Sequence, residues 1–258
     1  MEQKFFFFDI DNTLAVWPEG KIPNSAQYCI DELQRRGHLV SIATGRIQVD
    51  AMRFAEQARI TNVVADGGHS ITIDGKLVSM IGMNRDMCIQ YLEYLESKHI
   101  PWAVTDRNKL GRITPYKEIL EWHPDWDVFK TVVDPEFDFH SVEDFYKIYV
   151  FFKDGEEEEK DIEHMTHKLI RYGEGCVLYE PMEKALGIRN MIGHFDMKPN
   201  QVVVFGDGYN DLSMFRPEWL NIAMGNARPE LKLEADYVTT DCDKNGIYNA
   251  CKHFGWID

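Results

Sequence analysis

The sequence predicts an α/β fold: a doubly wound parallel sheet with a separate α+β segment inserted into it. Three observations predict this. Short, almost purely apolar runs, FFFF at Phe5 to Phe8 and later NVVAD and QVVVFGD, read as strands buried on both faces, as parallel strands are. Stretches with apolar residues at helical spacing alternate with them, which is the pattern of strand–helix–strand units. Between about 83 and 182 the alternation stops and aromatics and longer polar stretches take over.

Taken in order, Phe5 to Phe8 is the first strand and runs into Asp9. Ser25 to Arg36 has helical spacing (Ala26, Ile30, Leu33), and Gly37 is a natural stop. HLVSIAT is the second strand, Val49 to Ala58 the second helix and NVVAD the third strand. The pattern returns with a helix over Ala185 to Phe195 (Leu186, Ile188, Met191, Ile192, Phe195) and the strand QVVVFGD. A helix near Asp211 to Phe215 and the short strands IAM and DYVTT follow. The middle holds a helix at Met87 to Lys98, a strand in KIYVFF, a helix from Glu156 to Arg171 and a strand at CVLYEP. The acidic run Glu156 to Glu159 fits a solvated first turn of that helix. The expected division is a Rossmann-like α/β core of residues 1–82 and 183–258, with residues 83–182 inserted as an α+β cap.

Composition narrows the function classes. A chain of 258 residues with 44% hydrophobic content can build a substantial core. No apolar run approaches the ~20 residues needed to cross a bilayer, and Phe5 to Phe8 is too short for a signal peptide. A cytoplasmic protein with no membrane partner is expected. Five cysteines at wide spacing, without CxxC, argue against a disulfide framework or a zinc site. A net charge of −15 argues against a nucleic-acid partner, which needs a basic face. The pair His164-x-x-His167 has metal-like spacing, but on a helix it fits a solvent-facing pair. Oligomeric state is not encoded legibly.

Four features fall at the carboxyl ends of the predicted strands or just beyond, where open parallel sheets bind ligands. They are Asp9-Ile10-Asp11-Asn12-Thr13, Thr44-Gly45-Arg46, Lys184, and Gly206-Asp207-Gly208-Tyr209-Asn210-Asp211. Asp9 and Asp11 are two apart, so an extended backbone points both the same way. Two carboxylates at the end of a buried strand need a cation or protons to compensate them. Taken singly, the first and last motifs also read as turn or strand-to-helix loop chemistry.

The four together resemble the haloacid dehalogenase superfamily of phosphohydrolases, and most nearly its Cof-type branch, which has a large cap inserted in the second position. DxDGT after an apolar strand is matched by Asp9, Asp11 and Thr13; a Ser or Thr ending the next strand, by Thr44; GDGxND, by Gly206 to Asp211. Lys184 falls 22 residues before Gly206, the spacing of the family's lysine. The tail IAMGNA, ADYVT and NGI is also similar. Three positions depart from the pattern. Asn12 stands for Gly, Asp66-Gly67-Gly68 stands where Asn-Gly is common, and Lys184 lacks a flanking glycine, leaving Lys198 as an alternative.

The resemblance implies a Mg²⁺-dependent phosphatase of small phosphorylated metabolites: sugar phosphates, nucleotides or phosphorylated cofactors. Asp9 would attack phosphorus and form an aspartyl-phosphate. Asp11 would serve as general acid and then as general base. Asp9, the backbone carbonyl of Asp11 and Asp207 would hold the metal, with Asp211 as ligand or support. Thr44, Lys184 and Asn210, with Gly45 and Arg46 beside them, would hold the phosphoryl oxygens; Arg46 equally fits a structural salt bridge. Asp9, Asp11, Asp207 and Asp211 carry −4 and Lys184 and Arg46 +2, so the site stands at −2, and one Mg²⁺ brings it to zero. The cap candidates for substrate selection are Arg112, Tyr116, Trp122, Trp126 and Tyr179. A phosphotransferase or phosphomutase of the same superfamily, or a sensor of phosphorylated metabolites, remain alternatives.

Overall fold

The structure is a computed structural model describing residues 2–125, 128–153, 156, 161–162 and 169–258. The chain forms two compact units, Met1–Met80 with Met182–Asp258, and Ile81–Pro181.

The first unit is built on an eight-stranded sheet. Its strands are β1 (Phe5–Phe8), β2 (Leu39–Ala43), β3 (Asn62–Ala65), β4 (Ser70–Ile73), β5 (Lys76–Met80), β12 (Val202–Gly206), β13 (Leu220–Ala223) and β14 (Tyr237–Val238), in the order β14-β13-β12-β1-β2-β3-β4-β5. The six strands from β14 to β3 run parallel. β4 and β5 add an antiparallel hairpin that the apolar-run pattern did not predict. Four consecutive phenylalanines fit β1 because it sits mid-sheet with all four side chains fully buried. Phe8 stacks on Phe205 with ring centroids 4.7 Å apart.

Helices cover the sheet. Helix α1 (Asn24–Arg35) buries Ala26, Cys29, Ile30 and Leu33, an i, i+3, i+4, i+7 stripe. Helix α2 (Gln48–Ala58) links β2 to β3. Two corrections concern the later helices. The helix Lys184–His194 buries Ala185, Ile188, Met191 and Ile192, while Leu186, assigned by spacing to the core face, is 47% exposed. The expected helix at Asp211 to Phe215 is a 3₁₀ turn over Tyr209–Met214.

Register sets the site. Phe8 lies opposite both Phe205 and Ile42, so the residues that follow, Asp9, Asp207 and Thr44, emerge at one edge of the sheet. Strand order also reverses at β1, since the chain winds outward through β2 and β3 on one side and through β13 and β14 on the other. Crevices form at such switch points.

The second unit is a six-stranded sheet in the order β10-β11-β9-β6-β7-β8. Its strands are β6 (Trp102–Thr105), β7 (Gly111–Thr114), β8 (Lys130–Val133), β9 (Lys147–Phe151), β10 (Leu169–Gly173) and β11 (Cys176–Tyr179). It is antiparallel except for β7 with β8. Helix α3 (Arg85–Ser97) packs Cys88, Leu92 and Leu95 against Trp102, Val104, Ile148 and Val150. Leu169 to Arg171, expected to end a helix, instead belong to β10. Trp126, His164, His167 and most of the acidic run lie outside the described residues. All five cysteines are free and buried, and no described helix is long and apolar enough to cross a membrane.

Candidate active site

Asp9 leaves β1 with its N–H bonded to the Phe205 carbonyl at 3.0 Å, which ties it to the neighbouring strand. Its side chain is buried, and its Oδ1 accepts from Lys184 Nζ at 2.7 Å. Lys184 is the first residue of its helix and reaches the sheet edge from there. Its Nζ also donates to Asp211 Oδ1 at 2.6 Å. Lys198 plays no part here. It precedes a 3₁₀ turn at Pro199–Gln201, before β12.

Asp211 is fully buried and has both oxygens engaged. While Oδ1 meets Lys184, Oδ2 accepts the backbone N–H groups of Asp207 (2.8 Å) and Gly208 (2.9 Å). This explains the tight 3₁₀ turn: the carboxylate closes the loop after β12 on itself. Asp207, half-buried, accepts from Thr13 Oγ1 at 3.1 Å. Carboxylate oxygens of Asp9, Asp207 and Asp211 lie within 4.8 Å of one another and could hold a metal ion.

The Asp11 carboxylate faces a different partner. Arg46 grips it with two bonds, Nη2 to Oδ1 at 2.6 Å and Nε to Oδ2 at 3.1 Å. Arg46 Nη1 also reaches Asp50 Oδ2 at 3.2 Å. Thr44 is buried at the end of β2, and its Oγ1 accepts the Arg46 N–H at 3.2 Å. Gly45 and Asn210 are half-buried in the loops after β2 and β12.

The electrostatics follow from crowding carboxylates in a desolvated place. Burial first, and the Asp211 charge second, push the Asp9 carboxyl well above the usual aspartate range, while Lys184 pulls it down. Asp207 is pushed up to about 7, by burial and then by Asp211, against the bond from Thr13. Burial opposes the Lys184 charge, but Asp211 and Asp9 outweigh it and raise its pKa. The ammonium is therefore fixed, and the carboxylates around it are under-compensated.

The family model for haloacid dehalogenase-like hydrolases matches residues 6–251. The chain belongs to that family. Among haloacid dehalogenase-like hydrolases it is of the Cof type. It is 30% identical to a putative phosphatase, YkrA, of Bacillus subtilis, over the full length of both. It is 28% identical, across 99% of its length, to a putative bifunctional phosphatase/peptidyl-prolyl cis-trans isomerase of Streptococcus pyogenes, and spans 54% of that protein. Among solved structures it resembles a subclass IIB sugar phosphatase of the family, with TM-score 0.79 and 26% identity, covering 99% of this chain and all of that one.

Motif reading missed two residues of this haloacid dehalogenase-like site and left a third without a role. Thr13 was matched to the pattern but given no role; it holds Asp207. Asp50, one helical turn beyond Arg46, shares its guanidinium, and the i, i+4 spacing was the available signal. Ser213 Oγ donates to the Asn210 carbonyl at 3.0 Å and lies 3.3 Å from the Lys184 N–H, joining two motifs. Nothing in the sequence marks it.

The second unit absorbs three of the substrate-selecting candidates into its own packing. Arg112 is buried, 4.9 Å from the Phe151 ring centroid, and bonded to Thr131 and the His123 carbonyl. Tyr116 donates to Glu96 at 2.7 Å, and Tyr179 packs edge-on to Tyr91. Trp122 is partly exposed, at 38%.

Proposed function

We propose that this protein is a Mg²⁺-dependent phosphatase of small phosphorylated metabolites, with Asp9 as nucleophile. One observation carries the proposal: a buried carboxylate, Asp9, held by a buried ammonium 2.7 Å away and crowded by two further carboxylates.

A divalent cation fits this donor set. Asp9, Asp207 and Asp211 carry −3 when ionised and Lys184 +1, leaving −2. The raised proton affinities of Asp9 and Asp207 are the electrostatic sign of that deficit. The donors are all oxygens, which suits Mg²⁺. The Asp9 and Asp207 carboxylates and the Asp11 carbonyl would hold it, and Asp211, with both oxygens engaged, would brace the loop. Bound there, the ion would supply positive charge to the phosphoryl oxygens and lower their repulsion of the nucleophile.

The remaining chemistry belongs to the chain. Lys184 orients Asp9 for in-line attack and favours its ionised form against the burial and carboxylate crowding that raise its proton affinity. The phosphorus–oxygen bond to the leaving group breaks as the bond to Asp9 forms, giving an aspartyl-phosphate. Asp11 donates a proton to the leaving alkoxide, then accepts one from the water that hydrolyses the intermediate. Thr44, Lys184 and Asn210, with the Gly45–Arg46 loop, hold the transferring oxygens. Arg46 anchors Asp11 between these duties. Substrates are phosphorylated small molecules; the relatives' phosphatase names support that class.

Asp9→Asn should abolish hydrolysis of para-nitrophenyl phosphate, and EDTA should silence the wild type until Mg²⁺ is restored. Full activity in a folded Asp9→Asn variant, or turnover indifferent to EDTA, would contradict the proposal.

A further inference from the structure

The segment Asp66-Gly67-Gly68 follows β3 and enters none of the chemistry above, yet its geometry is unusual. Its three residues have φ of 49°, 58° and 108°, all in the left-handed region, and all are buried. A non-glycine residue there is strained, and such strain persists only where the surroundings enforce it.

The turn is fastened on two sides. On one side, Asp66 N–H donates to the Arg46 carbonyl at 2.9 Å and Gly67 N–H to the Thr44 carbonyl at 3.1 Å. On the other, the Gly67 carbonyl accepts the N–H of Glu183, the residue before Lys184, at 2.7 Å. Gly68 lies directly against that same backbone. A Cβ added there would fall 2.6 Å from the Glu183 carbonyl carbon and closer still to its oxygen. No flexible side chain is available to yield. The Asp66 carboxylate locks the turn in place, since Oδ2 accepts from Gln48 N–H at 3.0 Å and Ser70 Oγ at 2.7 Å.

We infer that Asp66-Gly67-Gly68 is a positioning turn that fixes the Thr44–Arg46 loop and Lys184 in one register, so that the groups holding the phosphoryl oxygens are set from a single support. The inference rests on the phosphatase reading. Two elements far apart in sequence, the end of β2 and the start of the Lys184 helix, are joined through three backbone hydrogen bonds to this turn. Asp9 and Asp207, the proposed metal ligands, follow β1 and β12, and Asp9 is linked to the turn through its bond from Lys184. The turn therefore acts on phosphoryl positioning directly and on the metal ligands at one remove, through Lys184.

That order of effects is testable with para-nitrophenyl phosphate turnover, inhibition by vanadate as a stand-in for the transferring phosphoryl group, and Mg²⁺ titration. Gly68→Ala displaces Glu183 and with it Lys184. It should lower kcat about 10- to 100-fold, as a misplacement near 1 Å does, and weaken vanadate inhibition by a similar factor. The Mg²⁺ concentration for half-activation should shift by a smaller factor than either, since the metal ligand Asp9 feels the turn only through Lys184. Asp66→Ala should behave likewise, whereas Asp66→Asn, which keeps an acceptor oxygen and tolerates left-handed geometry, should recover most of kcat. The Asp66 pair decides the matter if Gly68→Ala does not fold. Wild-type kcat and vanadate inhibition in both Gly68→Ala and Asp66→Ala would overturn the inference. So would a loss of Mg²⁺ affinity matching the loss of kcat, or an Asp66→Asn variant as impaired as Asp66→Ala. A wild-type protein inert toward phosphomonoesters would overturn the phosphatase reading, and this inference with it.

Discussion

Thr13 shows how much of the site depends on a single hydroxyl. Its Oγ1 donates to Asp207 Oδ1 and draws down a carboxyl that burial still holds up at about 7. Removing it leaves Asp207 harder to ionise and less well aimed. Thr13→Val should weaken Mg²⁺ activation about tenfold or more, as loss of a ligand's outer partner commonly does, with kcat at saturating Mg²⁺ much less affected. Titration of activity against Mg²⁺ would show it. Lys184 belongs to the same scale. Lys184→Met removes the ammonium between Asp9 and Asp211, and kcat should fall by about 10² or more, as when a preorganised donor to the transferring group is lost.

Residues of this kind were legible in unequal measure. Asp9, Asp207 and Asp211 stood out because carboxylates after buried apolar strands demand a reason. Lys184 was legible only through its spacing from Gly206, yet it is the cation at the centre. Ser213 and Asp50 were not legible, because a serine in a loop and an acid on a helix are ordinary until the fold places them.

Among the elements, the parallel strands were readable because burial on both faces leaves an unbroken apolar run. The hairpin β4–β5 was not, since Ser70–Met80 is short and mixed in character, with β5 largely exposed at an edge. Its one signal was Asp74-Gly75, whose φ values of 48° and 75° are those of a type I′ turn. Replacing Gly75 by Val, which resists that geometry, should destabilise the first unit by about 1–2 kcal/mol, measured by urea unfolding, with little change in KM. The Lys184 helix was readable from its period. That period placed Ile188, Met191 and Ile192 on the buried face as observed, while Leu186 is exposed and Ala185 takes the core position beside it. Ile188 is fully buried there, and Ile188→Ala should cost about 2–5 kcal/mol.

Across the whole molecule, the −15 net charge and the carboxylate cluster tie stability to pH and metal. Asp207 keeps its proton in the folded chain up to about pH 7, whereas an unfolded aspartate releases it near 3.8. Its contribution is therefore fully present below 3.8 and is lost as pH rises through about 7. Asp9, raised in the same direction, adds to this. The metal-free protein should lose Tm between those limits, and the Tm gain from added Mg²⁺ should grow over the same window. A Mg²⁺ gain independent of pH would argue against carboxylates that exchange protons for the ion.

The central claim is covalent chemistry on Asp9, and the Asp11→Asn variant exposes it. Para-nitrophenolate departs without a proton, so this variant should complete the first step and then stall, lacking the base that activates water. Rapid mixing followed by acid quench and peptide mass spectrometry should show one equivalent of para-nitrophenol released per site, with a phosphoryl group on the peptide containing Asp9. A burst that leaves the phosphoryl group on another residue, or unimpaired steady turnover with Asp9 unlabelled, would contradict the account.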